Sequence, residues 1–109
     1  MAPLPPEGLL EGQCFHAQQA AEKAIKAVLV VQGTSVPRTH NLKSLLEAVE
    51  PSLLVPPDVE EAVVLTDYAV LYRYPSDLEP IDEAEYREAI ALAQHVLAWA
   101  ERVVAALEK

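Results

Sequence analysis

Apolar residues recur along this chain at helical rather than strand spacing. At about 100° per residue, Cys14, Ala17, Ala21, Ala24 and Val28 form one stripe of mostly small side chains, which lets a neighbouring helix approach closely. Phe15, Ile25 and Leu29 widen the apolar arc. The polar Gln18 and Glu22 lie between or beside these positions, with Gln19 and Lys26 at the edge. The pattern predicts a first helix from about Gly8 or Glu11 to Gln32, with Gly33 as its stop. After the loop Gly33 to His40, the apolar Leu42, Leu45, Leu46 and Val49 follow i, i+3, i+4, i+7 and predict a short second helix from about Asn41 to Val49, capped by His40 or Asn41. Pro56-Pro57-Asp58 opens a third, with Asp58 as N-cap and Glu61 three residues on. From Val59 to Tyr74, beyond Glu60 and Glu61 near its start, only Thr66, Asp67 and Arg73 interrupt a surface apolar almost all round, as expected of a helix wrapped by others or held in a subunit interface. The fourth starts after Asp82, where Asp82 and Glu85 repeat the cap spacing, and runs to about Leu107. Its apolar positions, Trp99 among them, span roughly 180° of the wheel, more than the ~100° stripe of a simple surface helix.

Prolines punctuate these segments, and no strand-like alternation lasts beyond a few residues. The reading is all-α: an antiparallel up-and-down helical bundle of four to five helices, forming a single domain over residues 1–109. The apolar surface in excess of what four helices bury predicts a two-fold homodimer, with Trp99 or its neighbours partly in the interface or close beneath it.

Composition narrows the class. A 109-residue chain that is 51% hydrophobic with three glycines is neither disordered nor of low complexity. One cysteine excludes an intrachain disulfide framework, and without CxxC or a Cys/His cluster no structural zinc or other cofactor is implied. The N-terminal Met-Ala-Pro-Leu-Pro-Pro lacks the form of a signal peptide, and the apolar run Ala27 to Val31 is far too short for a bilayer, so a cytoplasmic protein without membrane contact is expected. The net charge of −9 is lopsided: four basic and five acidic residues up to Pro57, four basic and twelve acidic after it. Such a surface argues against DNA or general RNA binding but leaves room for a small phosphate-bearing ligand near the first half.

Signatures of catalysis are scarce. There is no Gly-rich phosphate loop, HExxH or GxSxG. Cys14 lies on the packing stripe and reads as core, while His16 and His95 fall on charged faces and read as solvated. The run Asp82, Glu83, Glu85, Glu88 complements a helix N-terminus better than it describes a metal site. Glu22 and Lys26 stand in the favourable i,i+4 orientation, and His40 stands where a helix begins.

The segment Phe15-His-Ala-Gln-Gln-Ala-Ala-Glu-Lys-Ala-Ile-Lys26, followed by Gly33, Thr39-His40-Asn-Leu42, Leu45-Leu46, Tyr68 and Arg73-Tyr74-Pro75-Ser-Asp77, resembles the HEPN domain (higher eukaryotes and prokaryotes nucleotide-binding) over about residues 13 to 105. The likeness is to the prokaryotic branch often encoded beside a minimal nucleotidyltransferase. It implies a helical bundle, usually dimeric, and draws attention to Glu22, Lys26, His40, Arg73 and Tyr74, which occupy family-like positions. Two departures stand out. Relatives carry an extra helix before this first one, where here only Met1 to Glu11 precede it, so an edge is expected to be covered by a second subunit or partner. The RNA-cleaving members share an arginine followed four to six residues later by a histidine, and none of Arg38, Arg73, Arg87 or Arg102 has one at that distance.

The polar set has two readings: a partly buried structural network in which Arg73 pairs with Glu22, or a ligand site in which Lys26, His40 and Arg73 hold a phosphate while Tyr68 or Tyr74 stacks on a base. The functional expectation is a noncatalytic nucleotide- or substrate-binding subunit acting with a separate nucleotidyltransferase. A protein-interaction or antitoxin-like module without its own ligand is the alternative, and a ribonuclease toxin ranks third. The apolar excess also sets the oligomer: light scattering at micromolar concentration is expected to return twice the 11.9 kDa chain mass, and a monomer would refute it.

Overall fold

The computed structural model describes residues 9–51, 53–68 and 82–108. Among these, α1 spans Leu9–Gln32, α2 Leu42–Val49, α3 Pro57–Glu60, and α4 Glu83–Leu107, with α3 continuing directly into a 3-10 segment over Glu61–Tyr68. The fold is an all-α bundle. The extra-helix departure and the continuation to Tyr74 lie outside the described residues.

α1 ends where the glycine was expected. Gly33 takes φ +75°, the left-handed region, so that its N–H reaches the Val30 carbonyl and the Thr34 N–H reaches Leu29, both at 3.0 Å. These two bonds satisfy carbonyls that the last turn leaves orphaned. The cap of α2 is Asn41 rather than His40: its Oδ1 accepts from the Lys43 N–H at 2.9 Å and the Ser44 N–H at 3.4 Å. Leu42, Leu45, Leu46 and Val49 are all buried, as the spacing requires.

The start of α3 corrects the sequence reading. Pro56, extended at ψ 154°, occupies the N-cap position and Pro57 the first helical one, while Asp58 sits in the first turn. The cause is steric: a proline forces the residue before it out of the helical region and is itself suited to a first turn that needs no N–H. Asp58 then acts through the helix dipole instead of as a cap.

Over Glu61–Tyr68 the winding is 3-10 where an α-helix was expected. With three residues per turn, side chains at i and i+3 align in straight rows. Val59, Ala62 and Leu65 form the buried row and lead to half-buried Tyr68; Val63 and Thr66 form an intermediate one; Glu61, Val64 and Asp67 form an exposed one. The β-branched run Val63-Val64 and Thr66 carries the χ1 crowding that weakens α preference.

α4 begins with Asp82 Oδ1 accepting the Glu85 N–H at 2.8 Å, the expected cap. It buries Ala89, Leu92, Ala93, Val96, Trp99 and Ala100. Its length and composition alone would suffice to cross a membrane, but that buried stripe packs on α1 and the 3-10 segment as a core helix does. Neighbour relations fix the directions. Gln18 of α1 bonds to residue 40, beside which the Leu42 N–H bonds to Thr66, and the adjoining Leu65 shares a hollow with Ala89 and Leu92. Farther along α1, Ala24 and Ala27 share a groove with Leu97, Ala100 and Val104. α1 and α4 therefore advance together, with the 3-10 segment opposed to α4. The up-and-down alternation holds between long segments, α2 being too short to form a leg.

Trp99 is 3% exposed, in the core beneath the surface, which makes its fluorescence a reporter of unfolding. Urea titrations read this way are expected to show Leu45→Ala losing about 2–5 kcal/mol, through a cavity at a fully buried site, and Asn41→Ala about 1 kcal/mol, with Asn41→Gly losing only a few tenths. An Asn41→Ala protein as stable as the parent would remove the cap from this account.

Candidate functional site

The apolar arc of α1 contains two polar residues that no water reaches freely: Gln18 is 0% and Glu22 4% exposed. They lie one turn apart on the same face, and Lys26 follows one turn later. An ionised carboxylate in such a place is costly unless each oxygen finds donors. Glu22 has three. Gln18 Nε2 donates to Oε1 at 3.0 Å, Lys26 Nζ donates to Oε2 at 2.9 Å, and the His40 ring, arriving from the loop before α2, places Nδ1 2.8 Å from Oε1. Because a carboxylate oxygen only accepts, Nδ1 carries the hydrogen, and the Nε2 edge is left to the solvent side of a ring that is 68% exposed.

Gln18 is satisfied as fully. Its Nε2 also donates to the His40 carbonyl at 3.1 Å, and its Oε1 accepts from Gln19 Nε2 at 2.7 Å. Residue 40 is thus held twice, by ring and by backbone. The next links follow along the chain: Asn41 caps α2, and Leu42 N–H donates to Thr66 Oγ1 at 3.0 Å. Burial alone would push the Glu22 carboxyl up, and it is the largest single influence. The hydrogen bonds from Lys26, Gln18 and His40, with the charge of Lys26, together outweigh it and hold Glu22 below the ordinary 4.5.

Three of the five expected site residues therefore converge: Glu22, Lys26 and His40. Arg73 and Tyr74, and with them the expected Arg73–Glu22 pair, lie outside the described residues. Gln18 belongs to the site although the candidate set omitted it. The signal was its place inside the apolar arc, one turn before Glu22, where a polar side chain survives only with partners. Elsewhere, Cys14 is buried in the core, and His16 and His95 are exposed. In the acidic run, Asp82 caps α4, Glu83 pairs with Arg87, and Glu85 accepts from Tyr68 Oη at 2.5 Å.

The comparison with known families agrees with the motif set: residues 5–103 match the family model described as HEPN domain. No curated protein and no solved structure matches the chain.

The depressed Glu22 acidity ties stability to pH. A carboxyl that releases its proton more readily in the folded state than in the unfolded chain contributes stability above about 4.5, and that contribution is lost as pH falls through the lower folded value. Glu22→Gln is expected to lose about 1–3 kcal/mol at pH 7 and to show a shallower fall in stability than the parent as pH drops below about 5. Parallel urea titrations across that range check it, and identical slopes would refute the linkage.

Proposed function

This chain belongs to the HEPN domain family, and we propose that it is a noncatalytic binding subunit that holds a nucleotide or related phosphate-bearing substrate at the Lys26–His40 edge for a separate nucleotidyltransferase. The observation that carries this reading is the position of Glu22, which gathers an ammonium and an imidazole on one buried carboxylate, each within 3 Å of it. Lys26 keeps donors beyond the one given to Glu22, and its side chain is 30% exposed; His40 keeps its outer nitrogen. A preoriented ammonium that can donate to a phosphate, beside an imidazole Nε2 that can accept from a ribose hydroxyl, both set in the nearly neutral half of a −9 chain, suits a nucleotide better than any other described part of the molecule. In this reading Glu22 and Gln18 are positioning residues. A homodimer is the assembly proposed for it.

One feature favours the second reading, an interaction or antitoxin-like module without a ligand: Lys26 and His40 are already compensated by Glu22, so the network is closed as it stands. Ribonuclease activity ranks below both, since the Arg/His spacing of the RNA-cleaving members is missing from the sequence.

Differential scanning fluorimetry against nucleoside mono-, di- and triphosphates separates these readings. Binding is expected to raise the melting temperature of the parent by several degrees at ligand concentrations well above Kd, and Lys26→Ala or His40→Ala is expected to abolish the rise while remaining folded by circular dichroism. No shift with any nucleotide would leave the interaction module in its place. The purified protein is also expected not to cleave single-stranded RNA above buffer background. Metal-independent cleavage lost in Arg38→Ala or His40→Ala would overturn the noncatalytic assignment.

A further inference from the structure

A different surface, sharing no residue with the Glu22 set, is formed by α2, the connection after it, and α3 with its 3-10 continuation. Two open hollows meet there with Glu50 and Glu60 as common walls. One, of about 510 Å³, is floored by Leu53, Leu54 and Val55; the other, of about 410 Å³, by Leu46 and Val63, with Lys43 and Glu47 at its rim. Leu54 is 90% exposed, the highest value among the exposed large apolar residues described. It is not a loose tip. Val55 beside it is buried, the Leu53 N–H bonds to the Val49 carbonyl at 3.3 Å, and Pro51 and Pro56-Pro57 restrict the backbone on either side. An exposed leucine held in one place loses little freedom when it is covered.

The charge around the hollows has one sign. Glu47, Glu50 and Glu60 are exposed, and among the described residues none of their side chains enters a hydrogen bond or ion pair. Only Lys43 opposes them. A two-fold contact of this face with itself would set the carboxylates of both copies against one another, so a second copy is the wrong occupant.

We propose that the joined hollows are a docking groove for a basic amphipathic helix of a partner protein. Two depressions with apolar floors, divided by a pair of carboxylates, match a helix face on which apolar side chains two turns apart, at i and i+7, flank a Lys or Arg at i+3 or i+4: the apolar anchors meet the floors, and the cation meets Glu50 and Glu60. The inference goes beyond the nucleotide reading and does not depend on it.

The probe is a fluorescein-labelled synthetic amphipathic peptide with leucines at i and i+7, lysines at i+3 and i+4 and further lysines beside that face, followed by anisotropy against the full chain. Saturable binding that weakens with added salt is expected. At least about tenfold weaker binding is expected for Leu54→Asp and for the joint Glu50→Lys, Glu60→Lys variant. These positions are exposed, so the variants are expected to melt as the parent does. A scrambled peptide of the same composition is expected to bind at least about tenfold less tightly, because charge alone is not the recognition element. Absence of saturable binding, equal binding of the scrambled peptide, or indifference to both variants would each overturn the proposal. So would self-association of the parent that Leu54→Asp abolishes, which would assign the face to a second copy. Any nucleotide-induced shift in melting temperature is expected to survive in Leu54→Asp, so that failure of this proposal and failure of the nucleotide reading are distinguishable.

Discussion

The buried carboxylate of Glu22 is the constraint on which the arrangement of the first half depends. An anion inside an apolar helix face is tolerable only with donors on both oxygens, and two of its three donors come from its own helix. His40 adds the third from the loop before α2, and with it residue 40 is held beside residues 18 and 22. Where residue 40 stands, Asn41 starts α2, and the first N–H of α2 then ties to Thr66. One electrostatic requirement thus orders a loop, the origin of a helix and the level at which the 3-10 segment docks.

The same carboxylate links folding to binding chemistry. Hydrogen bonds donated to a buried carboxylate commonly fix a histidine tautomer and steer a lysine, and both effects serve structural and ligand-holding roles alike. What differs is the outer side of the donors. Here the imidazole is mostly exposed and the ammonium partly so, and each has one side toward Glu22 and the other toward solvent.

Much of this was legible in the order of residues. The spacing of Leu42, Leu45, Leu46 and Val49, the glycine after Gln32 and the Asp82 cap each gave a local signal strong enough to place an element within a residue or so. The convergence of Glu22, Lys26 and His40 was legible only as a set of family-like positions, because nothing local says that a loop residue eighteen positions on will turn back onto α1. Gln18 carried its signal in plain view: an amide in the middle of an apolar arc needs partners. One reading failed for an identifiable cause. Asp58 looked like a cap because cap preference was weighed without the constraint that Pro57 places on Pro56. The third segment was read as apolar on every side largely from Ala69 to Tyr72, which lie outside the described residues; over the described part Glu60, Glu61 and Asp67 stand on the exposed side.

The 3-10 winding has a geometric consequence for where Tyr68 stands. Eight residues at a 3-10 rise span about 16 Å, against about 12 Å for the same residues wound as an α-helix. Over the six steps from Ala62 to Tyr68 the two windings also differ by about 120° in azimuth. An α winding from the same start would leave Tyr68 short of its place and turned off the Ala62–Leu65 row, so the pitch of one short segment is what brings the Tyr68 hydroxyl to Glu85.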